Sequence, residues 1–144
     1  MSRSFERREF VQISACAALG TGLVGCASLA VVSVPTGGGR ARLVLRDYPQ
    51  LASPGGYLRV QPDDLPHHLL VFAGDAGEFT VVSPVCTHRQ CIVSVAGPRL
   101  VCPCHGSEYE RDGTVTMGPA ERRLDRYPAE VNAAGELVID LEAV

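Results

Sequence analysis

The chain has 144 residues, 46% of them hydrophobic, a formal net charge of −3 and six cysteines. That leaves room for one domain, and a small one if the N-terminus is a targeting segment, so a covalent or metal staple is expected to supplement the core. All 13 basic residues are arginines, spread from Arg3 to Arg126 with no cluster that could follow a phosphate backbone, which argues against nucleic acid as a partner.

Arg7 and Arg8 precede residues 13–34, a run without a charged residue. A basic start before an apolar stretch is the layout of an export signal. The pair followed by Glu9, Phe10 and Val11 resembles the twin-arginine signal, a route for proteins that fold around a cofactor before export. A helix over the run would be about 33 Å long, enough for roughly 30 Å of hydrocarbon, so an uncleaved anchor is one outcome. Lipidation is another, because Leu23-Val24-Gly25-Cys26 resembles a bacterial lipoprotein box with Cys26 as the modified residue. Either way residues 1–34 are expected to be a signal or membrane anchor, with the arginines on the cytoplasmic side. The domain would then lie in the periplasm or at the outer face of the cytoplasmic membrane.

Residues 35–40, PTGGGR, read as a flexible linker reaching roughly 20 Å at most, at about 3.3–3.6 Å per extended residue. Residues 41–144 are expected to form the domain. Its patterns are short and β-like. HLLVFAG and EFTVVS flank a turn at 74–77, IVSVAG and RLVCP flank Gly97-Pro98, and RLDRYPAEV and ELVIDL flank a turn at 132–135. No helical periodicity is sustained beyond Val34. An antiparallel all-β domain is expected, with CTHRQC at 86–91 and CPCHGSEY at 102–109 as loops beside the hairpin at 92–101.

Those two boxes hold four cysteines and two histidines. Cys86 and His88 are one residue apart and Cys102 and His105 two apart, so each pair can come from one tight loop and both loops can converge on one site. Two thiolates and two imidazoles suit a structural zinc ion. That reading leaves Cys91 and Cys104 unexplained. The other candidate is a two-iron, two-sulfide cluster with cysteines on one iron and histidines on the other.

The boxes resemble those of the Rieske iron–sulfur proteins, C-x-H-x-G-C and C-P-C-H-G-S. The resemblance implies a small antiparallel β-sandwich with cluster-binding loops at one end, here preceded by an N-terminal apolar helix. It implies one [2Fe-2S] cluster, with Cys86 and Cys102 on the inner iron and His88 and His105 on the outer one. It also implies a disulfide between Cys91 and Cys104, which an exported domain could keep. Two ferric ions, two sulfides and two thiolates sum to zero charge with neutral imidazoles, whereas four thiolates leave the centre doubly negative. The neutral centre is easier to reduce, and such centres span about −150 to +300 mV against about −400 mV for plant-type ferredoxins. By the same resemblance, Ser107 and Tyr109 donate hydrogen bonds to a bridging sulfide and a ligand cysteine and raise the potential. The loop with Gly118 and Pro119 would cover the cluster. His67 and His68 have no motif around them and read as surface or strand-edge residues.

Two positions depart from the family pattern. Gln90 stands where glycine is usual, at a steric cost if the loop needs a positive φ. Arg89 stands where an apolar residue is typical and points to a different docking surface or an acidic one. No residue outside the boxes looks catalytic. The expected role is one-electron transfer from quinol toward a c-type cytochrome, as the iron–sulfur subunit of a bc-type complex with cytochrome b or c as partner. A ligated imidazole that loses its second ring proton on oxidation would couple proton and electron uptake, which suits a quinol donor. The alternative is the small electron-transfer subunit of an exported molybdenum oxidase of the arsenite-oxidase kind. A soluble dioxygenase ferredoxin and a zinc-binding interaction module fit less of the sequence.

Overall fold

The computed structural model describes residues 30–144. The arginine pair, Cys16, Cys26 and most of the apolar run lie outside the described residues. Among the described residues no helix is long and apolar enough to cross a membrane. They form thirteen strands: β1 (Val31–Val34), β2 (Thr36–Gly37), β3 (Arg40–Val44), β4 (Tyr57–Pro62), β5 (Leu69–Ala73), β6 (Phe79–Val82), β7 (Ser94–Ala96), β8 (Arg99–Val101), β9 (Glu108–Glu110), β10 (Val115–Met117), β11 (Arg126–Tyr127), β12 (Ala129–Val131) and β13 (Glu136–Asp140).

The strands make three sheets, ordered β1-β4-β5-β6-β11, β10-β9-β8-β7 and β12-β13-β3-β2. Side chains alternate across a strand, so a sheet covered on both faces needs a continuous apolar run. β5, LLVFA, is such a run, buried at every position. Leu69, Val71 and Ala73 join one core with Ala41, Leu43, Leu137 and Ile139. Leu70 and Phe72 join a second core with Leu100, Tyr109, Cys86 and Cys102 on the other face. The five-stranded sheet is thus the floor on which the cysteine loops stand. Arg111 fastens the two layers: its guanidinium donates to the carbonyls of Gly55 (2.7 Å) and Gly97 (2.9 Å) and lies over the Phe72 ring at 5.1 Å.

All three hairpins expected from the sequence are present, as β5–β6, β7–β8 and β12–β13. Two expectations are corrected. Residues 35–40 are not a flexible linker but most of a hairpin, in which Thr36 pairs with Ala41 and Gly37 with Arg40. Gly38 and Gly39 take φ of 61° and 73°, the left-handed values that a two-residue turn of this twist demands. The end of the apolar run also belongs to the domain. β1 pairs in parallel with β4, and Val34 is 2% exposed. The domain therefore starts by Val31 and its sheets are not wholly antiparallel, because burying Val34 and pairing its backbone outweighs leaving the segment in solvent.

Candidate metal centre

The two boxes fold into loops of the same construction. In the first, the Cys86 amide donates to the Cys91 carbonyl (2.8 Å) and the Gln90 amide to the Cys86 carbonyl (2.8 Å). In the second, the Cys102 amide donates to the Ser107 carbonyl (2.8 Å) and the Gly106 amide to the Cys102 carbonyl (3.0 Å). Each turn closes through a left-handed residue, Gln90 at φ 60° and Gly106 at φ 75°. A side chain in that conformation costs about 1–2 kcal/mol, and glycine's extra chain entropy offsets roughly 0.5–1 kcal/mol of the relief. Gln90→Gly should therefore stabilise the domain by about 0.5–1 kcal/mol, read as a higher urea midpoint. A midpoint that stays put or falls would show that the Gln90 side chain makes a compensating contact.

These turns sort the candidate ligand side chains by depth. Cys86 and Cys102 are 1% and 2% exposed, free thiols at the floor of the loops. His88 and His105 are exposed, their ring centroids 4.9 Å apart and their planes at 83°. Cys91 and Cys104 form a disulfide that ties one loop to the other. The Cys102 sulfur lies within 4.8 Å of both disulfide sulfurs, but neither of those is a thiolate, so this trio is not a donor set. Two thiols and two imidazoles remain.

Burial alone would push the Cys86 thiol up. Hydrogen bonds from Tyr109, the His88 amide, the Cys102 side chain and the Arg89 amide outweigh it and hold the thiol below its ordinary value. That favours the thiolate, the form that ligates iron. The Tyr109 hydroxyl lies 3.2 Å from Cys86 Sγ and 3.2 Å from Thr87 Oγ1, and accepts the Thr87 amide at 3.3 Å. Thr87 Oγ1 donates its own proton to the Arg122 carbonyl. Tyr109 is then the donor toward Thr87 Oγ1, and it shares that one proton with the sulfur once Cys86 is a thiolate. Burial and the neighbouring Cys86 raise the Tyr109 hydroxyl above its ordinary value, so it keeps that proton.

The third loop reaches the site through Ser107. The Ala120 amide, just past a cis Gly118-Pro119 bond, donates to Ser107 Oγ at 3.0 Å. Ser107 is fully buried, and its own hydroxyl proton has no acceptor among the described residues. Pro119, with Thr87, His88, Glu121 and Arg122, lines an open hollow of about 430 Å³ beside the His88 ring.

Thr87 is a functional neighbour that the sequence reading passed over, although it sits inside the first box. His67, read from the sequence as a surface or strand-edge residue, stands half-buried two positions before β5, with its Nε2 3.1 Å from the buried Ser83 Oγ. The only signal in the sequence was a serine three residues before Cys86, which by itself says nothing about histidine.

Two buried thiols and two exposed imidazoles, on paired loops stitched by a disulfide, make a candidate donor set of mixed cysteine and histidine character. A two-iron, two-sulfide cluster fits this donor set, and the leftover buried proton of Ser107 fits its sulfides as acceptors. The chain belongs to the family of the Rieske [2Fe-2S] domain, whose profile matches residues 48–128. Its cofactor is accordingly a [2Fe-2S] cluster.

Relatives agree. The chain is 32% identical over 74 residues to the cytochrome b6-f complex iron-sulfur subunit of Chlorobaculum tepidum, covering 50% of this chain and 40% of that protein. It is 38% identical over 76 residues to the same subunit of Prochlorococcus marinus, covering 51% of this chain and 42% of that one. The matches thus span about two fifths of these relatives' length. Among solved structures, a cyanobacterial plasma membrane Rieske protein from Synechocystis superposes with a TM-score of 0.50 at 33% identity, over 58% of this chain and 85% of that one. A chain from the complex of oxygenase and ferredoxin in carbazole 1,9a-dioxygenase gives 0.50 at 24% identity, over 64% and 86%, and shares the fold alone.

Proposed function

We propose that this protein is the one-electron carrier of a quinol-to-cytochrome c chain, the iron–sulfur subunit of a bc-type complex, tethered outside the cytoplasmic membrane through residues before Val31. Cys86 and Cys102 would hold the inner iron, and His88 and His105 the outer one. When bound, the cluster supplies a single-electron redox couple. The observation that carries the reading is the exposed imidazole pair, 4.9 Å between centroids, on the same two loops as two buried thiols. With both histidines exposed, an outer iron held by them would lie where a partner can touch its ligands. The rest of the chain does what a carrier needs. Tyr109 and the loop amides favour the thiolate at Cys86, the second core keeps water from the cysteines, and Pro119 and Arg122 shape the hollow beside His88.

That the relatives are named as cytochrome b6-f subunits supports the bc-type assignment. Arg89, exposed at the tip beside His88, would meet the partner with a positive charge. The test is purification of the full chain from its own membranes, followed by an EPR-monitored redox titration. A Rieske-type signal in the upper half of the −150 to +300 mV range, roughly above +75 mV, with b-type cytochrome in the same fraction, is expected. Copurification with a molybdenum subunit would reassign it to an exported oxidase, and a potential near the low end would reject quinol as donor.

A further inference from the structure

Besides Ser107, the other fully buried serine among the described residues is Ser83, 2% exposed. It sits at the root of the first ligand loop, three residues before Cys86. Its amide donates to the Asp125 carbonyl (2.9 Å), and its Oγ accepts the Val85 amide (3.1 Å). The hydroxyl proton is left over, and the atom facing it at 3.1 Å is Nε2 of half-buried His67. A buried serine whose three polar functions are all engaged is rarely incidental, since each unmet group would cost about 1–3 kcal/mol. We propose that His67 acts through Ser83 on the first ligand loop, as a positioning residue whose charge state changes the hold on Val85 and, with it, the cluster's potential. This rests on the reading that Cys86 and His88 ligate the cluster.

The two states differ in who donates. In the neutral tautomer the relay uses, with the ring proton on Nδ1, Ser83 donates to Nε2, and a hydroxyl that donates is a better acceptor, so the Val85 bond is strengthened. With Nε2 protonated, His67 donates to Ser83 Oγ, which now accepts twice and turns its own proton away. The Val85 bond weakens, and a positive charge joins the hydrogen-bonded path to the loop.

The charged groups around His67 are few. Asp125 favours its protonation, while Asp125 itself is engaged by Arg122 at 2.9 Å. On the same segment His68 is lowered by burial, by Arg59 and by His67. Burial outweighs Asp125 and keeps His67 below the ordinary histidine range, so it is neutral near neutrality and charges on the acid side. A group that gains a proton more readily when an electron is added makes the potential rise as pH falls.

The experiment is a redox titration of the cluster-loaded full chain across the acid range, for the wild type, His67→Gln and Ser83→Ala. The wild type should show an acid-side step of about threefold in the reduced-to-oxidised ratio, roughly 28 mV at 59 mV per tenfold for one electron. Both variants should lose it. A step that survives Ser83→Ala, or a wild type with none, overturns the relay. If Ser83→Ala does not fold, hydrogen exchange at the Val85 amide decides. It should quicken on acidification in the wild type relative to His67→Gln after correction for intrinsic rates, and equal protection in the two overturns the relay. The cluster reading fails separately, by absence of a Rieske-type EPR signal in the wild type.

Discussion

Removing the disulfide with the double substitution Cys91→Ala and Cys104→Ala is expected to destabilise the domain by about 3 kcal/mol, the chain-entropy value for a closed loop of roughly 15 residues. The bond links residues with a sequence separation of 13. For a domain of this size the melting temperature should fall by roughly 10–15 °C. The functional consequence is larger than the thermodynamic one. Apart from the disulfide, the first loop meets the layer bearing the second through Tyr109 on Cys86 and Thr87, the Cys102 side chain on Cys86, and the edge-on His88–His105 rings. With the loops uncoupled, the four ligands no longer arrive together, so visible absorbance of the cluster should bleach well below the unfolding temperature. Both cysteines must go, because a lone thiol left at either position would stand within 4.8 Å of Cys102 and compete as a ligand. Thermal unfolding followed at once by circular dichroism and by visible absorbance makes the check. Coincident transitions at the wild-type temperature would show that packing alone holds the loops.

Tyr109→Phe is expected to lower the reduction potential. Toward a deprotonated Cys86 Sγ, 3.2 Å away, the hydroxyl is the proton donor, in a fully buried setting where no water can replace it. Reduction adds negative charge to the sulfurs, so the donor favours the reduced form. A differential of about 1–1.4 kcal/mol, part of the 1.5–3 typical of a hydrogen bond to a charged group, corresponds to roughly 40–60 mV for one electron. The substitution also strands the Thr87 amide, which should lower stability by about 1 kcal/mol. Titrating the variant beside the wild type at one pH separates the effects, because a pure packing defect would move the unfolding midpoint and leave the potential alone. An unchanged potential would mean that the proton is spent on Thr87 Oγ1 instead.

What could be read in advance was local. Each box spans a single turn, so the spacing of Cys86 and His88, and of Cys102 and His105, is enough to place one thiol and one imidazole together. The hairpins were legible for the same reason. Alternation and turn residues act over a few positions, and β5–β6, β7–β8 and β12–β13 each join neighbours in sequence. Even the strain at Gln90 was readable, because the left-handed position is a property of the turn and not of its surroundings.

The failures share a cause. PTGGGR has the composition of a linker, and only the registry of Thr36 with Ala41, set by the packing of β3 on β13, makes it a hairpin. Nothing within residues 31–34 announces a parallel partner some thirty positions away. His67 and Ser83, and Thr87 and the Arg122 carbonyl, are likewise far apart in the chain and adjacent in space. By itself the sequence determined the family and cofactor of the centre, since the cysteine and histidine spacings that mark them are set within single turns. The tertiary structure alone decided where the domain begins and which distant groups hold the ligand loops, because those choices depend on which apolar faces are buried together and which buried polar groups must then find partners.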